Sequence, residues 1–260
     1  MNVFYYACSY AKADYSIFMN VTTKMALNLI PDTLKSQSVF LCVNDTMISK
    51  FGEKFENVSK LFDHAAHNDS NYLNGYCFVS VMLCVPVWNN SKVSYLSVPL
   101  GYRMWLKTDS KPELAASMIR QVMPDFRKKK DVIILCDIWY MKKNLVSIVD
   151  EYPNLNLIGN ARCDSILYDL SKAPTGRRGR PAKHGERLSI ENDFVLSDER
   201  IGDYYTGVRR VLINIFGSRE VLAYITSTEK TNACFSAPYF RRANLLRMAG
   251  ESASEPDRKK

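Results

Sequence analysis

VFLCVNDT, residues 39–46, and DVIILCDIWY, residues 131–140, decide how this chain folds. Each contains a short apolar run that ends in polar residues: Val39 to Val43 runs into Asn44-Asp45-Thr46, and Val132 to Cys136 runs into Asp137. Continuous apolar runs of this length predict buried strands, so both carboxylates are expected at the C-terminal ends of buried strands. Between them, Tyr76 to Val87 and Val93 to Leu100 flank the turn residues of WNNS at 88–91 and predict a hairpin. Lys111-Pro112-Glu113 then opens a helix over Leu114 to Met123 that closes at Pro124. A second helix over Tyr140 to Asp150 and a strand over Leu155 to Ile158 follow. From residue 39 the order is strand, strand, strand, helix, strand, helix, strand, which is an α/β class of chain.

Upstream, residues 1–38 carry apolar positions at helical spacing (Phe18, Met19, Met25, Leu27, Leu29, Ile30) and stop at Pro31-Asp32. They form an N-terminal helical segment ahead of a core over 39–170. Residues 171–226 begin with a stretch rich in Pro, Gly, Arg and Lys, read as an exposed loop, and continue into a β-rich hairpin at Tyr204 to Phe216 and Glu220 to Thr226. Residues 227–260 have no clean period and end in a charged tail, expected to be frayed from about residue 249.

The chain has 260 residues, 47% of them hydrophobic and 24% charged, enough to bury a core. A mean hydropathy of −0.20 and the lack of any apolar run near bilayer length speak against a membrane span. The expectation is a soluble protein with no membrane partner. No basic n-region with a small-residue cleavage site opens the chain, and the seven cysteines are odd in number with no Cys-x-x-Cys pair, so they read as reduced thiols of a cytoplasmic protein. Thirty-five Lys and Arg against 27 acids give a net charge of +8, which favours a polyanionic partner.

The two aspartates could meet if their strands are neighbours, and hard Mg²⁺ is held by a few such carboxylates completed by substrate phosphates. Helix N-caps at the same positions are the alternative, since Asp is a preferred cap. His64 and His67 lack a placed third ligand and are assigned no metal role. No Gly-x-Ser-x-Gly supports an acyl-transfer hydrolase, and no Gly-rich loop cradles a phosphate. The clearest nucleic-acid feature is the basic loop with Arg177, Arg178, Arg180, Lys183 and Arg187. Within it Arg178-Gly179-Arg180-Pro181 resembles the AT-hook core, whose two arginines enter a narrow A·T minor groove; an ordinary solvated loop is the alternative.

Asn44-Asp45-Thr46, FGEKFENVSKLFDHAAHN at 51–68, NGYCFVSVMLCVP at 74–86, IILCDIWY with Tyr140 three positions after Asp137, and GNARCDSILYD leading to GRRGRPAKHGER together resemble the DDE transposases of bacterial insertion sequences, over roughly residues 1–226. The resemblance implies a ribonuclease H-like mixed sheet with flanking helices and a β-rich insertion. It also implies Asp45 and Asp137 as catalytic and metal-holding residues for Mg²⁺ (or Mn²⁺), and double-stranded DNA at element ends as partner, bound by a homodimer. The implied setting is the cytoplasm of a bacterium, at the nucleoid. The implied function is metal-dependent DNA strand cleavage and transfer in transposition, here in a truncated, inactive form. The alternative is a non-enzymatic derivative that occupies element ends or inhibits the full enzyme. Two departures point towards inactivity. The family's first motif usually reads Asp-Asp-Thr, where this chain has Asn44-Asp45-Thr46, and the late helix bearing a third catalytic Glu has no counterpart after Thr226. The remaining acids there are Glu229, Glu251, Glu255 and Asp257.

Overall fold

The computed structural model describes residues 16–52, 55–62, 71–127, 130–161, 165–171, 183–190, 192–213, 220–228 and 245–248. Its architecture is mixed α/β, a twelve-stranded sheet with few helices. The strands are β1 (Val39–Ser49), β2 (Ser59–Phe62), β3 (Tyr72–Asn89), β4 (Lys92–Trp105), β5 (Val132–Cys136), β6 (Leu155–Asn160), β7 (Leu167–Tyr168), β8 (Arg187–Leu188), β9 (Leu196–Ile201), β10 (Tyr204–Ile213), β11 (Glu220–Ser227) and β12 (Leu245–Met248). The helices are α1 (Ser16–Asn28), α2 (Lys111–Val122) and the single turn α3 (Lys143–Val146).

The spatial order is β2-β3-β1-β5-β6-β12-β11-β10-β7-β8, with β4 also on β3 and β9 also on β10. β1 is antiparallel to β3 and parallel to β5, and β5 is parallel to β6. A parallel pair needs a crossover, and α2 lies in the connection from β4 to β5. The β3–β4 hairpin turns on Asn90 and Ser91, both at positive φ (47° and 63°). Two successive left-handed residues match the right-handed twist of the flanking strands, which explains a tight turn in which neither residue is glycine.

One face of the sheet is sealed. Val39 and Leu41 of β1, Val79, Val81, Leu83 and Val85 of β3, and Val132 and Ile134 of β5 are fully buried. Ala115, Met118, Ile119 and Val122 of α2 belong to the same core, as do Met19 and Ala26 of α1 and Leu145 and Ile148. Lys111-Pro112-Glu113 does open α2 as expected, with Pro in the first turn and Glu113 near the positive helix end. Alternate residues of β1 face the other way: Phe40 and Cys42 are half-buried and Asn44 is exposed.

Three sequence expectations change. β1 does not end at Val43; it continues to Ser49, so Asn44 and Asp45 stand in mid-strand and no helix begins near Met47. Asn and Asp disfavour strands, but β3 supplies ladder partners along this whole length, from Phe40↔Cys84 to Ser49↔Gly75. Gly75 makes the far end of this pairing feasible, because a Cβ there would fall 2.2 Å from the Ile48 carbonyl oxygen. The helix expected over Tyr140 to Asp150 shrinks to α3 and a 3-10 turn at Ser147–Asp150. Lys142 is extended (φ −126°, ψ 159°), which breaks the helix while Tyr140 is drawn into the core. In the tail, Ser227 ends β11, 245–248 form a strand between β6 and β11, and 229–244 and 249–260 lie outside the described residues. The hairpin of β10 and β11 is present, and Val211, Ile213, Val221, Ala223 and Ile225 are buried with Leu167 and Leu188. Among the described residues no helix is long and apolar enough to cross a membrane.

Candidate functional site

β1 and β5 are neighbours, paired from Val39↔Val132 to Val43↔Cys136. One position further along both strands brings Asn44 level with Asp137. Asp45 follows on the opposite side of β1, the side of Leu41 and Val43, because side chains alternate along a strand. Asp45 and Asp137 therefore lie at the same end of the β1–β5 pair but start from opposite faces of it.

Asp45 is half-buried and already has a cation. The Lys111 ammonium, at the first residue of α2, donates to its Oδ2. The Cys77 thiol of β3 donates to the same oxygen at 3.4 Å. Cys77 reaches it diagonally, since Asp45 is level with Val79 and Cys77 with Met47. Burial pushes the Lys111 pKa down, but hydrogen bonds and charge from Asp45 and Cys77 outweigh it and leave the ammonium above the ordinary lysine value. Lys111 also sits 5.2 Å from the centre of the Trp105 ring, a further cation-holding contact. The Cys77 thiol is pushed up by burial and by the Asp45 charge, with Lys111 opposing.

Asp137 caps no helix, since the next one begins at Lys143, but it serves the turn after β5. Its Oδ1 accepts the backbone N–H of Trp139 at 3.0 Å and of Tyr140 at 3.3 Å, holding the turn after β5. Tyr140 is 1% exposed, and its hydroxyl has no hydrogen-bond partner. Burial pushes that phenol well above its usual range, and the charges of Asp45 and Asp137 add to the effect. Tyr140 thus lies within electrostatic reach of both aspartates, which is the feature that ties them into one locality.

Asn44 brings no charge, Asp45 is paired with an ammonium, and one carboxylate oxygen of Asp137 holds the turn after β5. No three His, Cys, Asp or Glu side chains among the described residues are grouped to hold a metal ion. His64, His67, Glu229, Glu251, Glu255 and Asp257 lie outside the described residues.

Of the basic loop, Arg177, Arg178 and Arg180 also lie outside the described residues, whereas Lys183 and Arg187 are exposed. Arg187 is in β8, level with Tyr168 of β7, and the His184 ring stacks on Tyr168 with centres 3.8 Å apart. That stack and the β7–β8 ladder anchor the C-terminal side of the loop to the sheet. Sequence reasoning missed Lys111 as the partner of Asp45. Its only local sign was a cation at the start of a helix, where a positive charge is electrostatically unfavourable unless an acid stands nearby. No protein-family model matches the chain, and no curated protein matches it.

Proposed function

We propose that this chain is a ribonuclease H-like transposase core that binds double-stranded DNA without cutting it. The observation that carries the reading is the strand arrangement β4-β3-β1-β5-β6, antiparallel up to β1 and parallel from β1 to β6, with Asp137 directly after the parallel neighbour of β1. This order is compatible with the ribonuclease H-like mixed sheet that the resemblance implies, and it leaves a candidate acid at the strand end. The loss of cutting is supported by the site itself. Lys111 neutralises Asp45 from within the chain, and phosphoryl transfer by two metals needs carboxylates free to hold both ions. DNA affinity is supported by the +8 net charge and by the exposed Lys183 and Arg187 at the end of the basic loop.

The test combines binding and cleavage on the full chain. Anisotropy titrations of a labelled A·T-rich duplex at increasing salt should give a steep negative slope. Replacing Arg177, Arg178, Arg180, Lys183 and Arg187 together by Ala should flatten it by about 0.9 for each phosphate that is no longer neutralised. Supercoiled plasmid incubated with the protein and Mg²⁺ or Mn²⁺ should stay intact. Nicking that Asp137→Ala abolishes would overturn the inactive reading, and an unchanged salt slope would remove the loop from the DNA interface.

A further inference from the structure

On the half-covered face of the sheet, Cys42 of β1 and Cys84 of β3 bring their sulfurs to 3.6 Å. Cys84 is level with Phe40 and Cys42 with Met82, so the two thiols meet across a ladder diagonal. Both are half-buried, hence within reach of a small reagent, and the Ser97 hydroxyl of β4 lies 3.3 Å from the Cys84 sulfur. The other described cysteines differ. Cys77 is 1% exposed and bound to Asp45, and burial together with the Asp137 charge pushes the Cys136 thiol up to about 12.

We propose that Cys42 and Cys84 form a hydroperoxide-oxidisable dithiol, a modification site at which a disulfide links β1 to β3. Cys84 is the attacking sulfur. The contact with Cys42 and the Ser97 hydroxyl lower the pKa of the Cys84 thiol against the opposing effect of burial, while the same contact and burial raise that of Cys42, so Cys84 is the sulfur that gives up its proton more readily. This is the arrangement of a reactive cysteine beside its resolving partner.

The chemistry balances in two steps. The Cys84 thiolate attacks one oxygen of the hydroperoxide, the O–O bond breaks, and the sulfur is oxidised to sulfenic acid while the leaving alkoxide takes a proton and departs as alcohol, or as water from hydrogen peroxide. The Cys42 sulfur then attacks the Cys84 sulfur, the S–O bond breaks, and hydroxide leaves as water with the Cys42 proton. Two thiols and one hydroperoxide give one disulfide, one alcohol and one water. The sulfurs must close from 3.6 Å to a bond of about 2.05 Å, and because diagonal neighbours lie further apart than directly opposed residues, β1 and β3 draw together locally as the bond forms.

The experiment uses the reduced full chain, treated with hydrogen peroxide in small molar excess, alkylated, digested and read by mass spectrometry, with fragment ions separating Cys77 from Cys84. The first oxidised product should be a Cys42–Cys84 cross-link, two mass units lighter than the paired thiol peptides and reversed by dithiothreitol. In Cys42→Ser the sulfenic acid should persist on Cys84 and be trapped by dimedone. In Cys84→Ser, Cys42 should stay alkylatable, with peroxide consumption slowed by about tenfold or more, following the loss of the thiolate. The proposal is overturned if Cys42 and Cys84 remain alkylatable while another cysteine oxidises first, or if the first cross-link in the natural chain joins either of them to a different cysteine. The wild-type cross-link reads out on the natural chain, so the test does not depend on either variant folding.

Discussion

Strand β1 serves two environments at once. Val39, Leu41 and Val43 are buried in the core that α1 and α2 share, and on that side the next residue is the carboxylate of Asp45, which the chain neutralises with Lys111. Phe40 and Cys42 are only half-covered, and on their side the next residue is Asn44, exposed and level with Asp137. Adjacent polar residues in one motif thus answer to different rules. A charge on the sealed side needs a counter-charge within the fold, because desolvation penalises it. A group on the open side is left to solvent and to whatever binds there.

Truncating both sides of β1 puts this contrast under the greatest strain. Leu41→Ala should lower unfolding free energy by about 3 to 4 kcal/mol through reduced apolar burial and a cavity under α2, whereas Phe40→Ala should lose less than half of that. Urea melts give both values, and equal losses would mean that the two faces are equally packed.

Lys111→Met tests the sealed charge. It keeps the stem but strips Asp45 of its cation, and a loss of about 2 kcal/mol is expected at neutral pH for a half-buried, charge-assisted contact. The sign with pH follows from the raised Lys111 pKa. The pair's stabilisation is fully present below the ordinary lysine value of 10.5 and disappears as pH rises through the higher folded value. The gap between wild type and variant should therefore persist from neutral pH up to that point and close above it; a gap that stays open well above the folded lysine value would show that the Lys111 ammonium is not the group responsible.

A subtler change probes the open side. Asn44→Asp adds a carboxylate one ladder step beyond the Val43–Cys136 pair, level with Asp137. Mn²⁺ affinity followed by electron paramagnetic resonance should rise by about tenfold, that is about 1.4 kcal/mol, with stability nearly unchanged. No gain in Mn²⁺ binding would mean that the two positions do not converge despite their register.

Strands with an uninterrupted period were readable in advance. Val132 to Cys136 occupies its expected residues, and the β3–β4 and β10–β11 hairpins form where β-branched runs flank turn residues. What escaped was set by distant partners. β1 extends through Asn44-Asp45-Thr46 because β3 supplies the ladder, and β7 and β8 have two residues each, too short to show a period. The two aspartates were visible as acids behind apolar runs. The ammonium facing one of them and the thiol pair on the other side of β1 depend on partners 66 and 42 residues apart, which no local pattern records.

The position of β12 bears on the order of folding. The β3–β4 hairpin closes across a two-residue turn, so its contacts are local and carry little loop-closure entropy. β12 instead joins β6 to β11, with Leu245 level with Asn160. Until that late segment arrives, β6 and β11 each end in a row of unpaired backbone groups, and such rows template pairing with other chains. Refolding should therefore be slow and concentration-sensitive at this seam, with the β3–β4 hairpin formed well before the sheet becomes continuous.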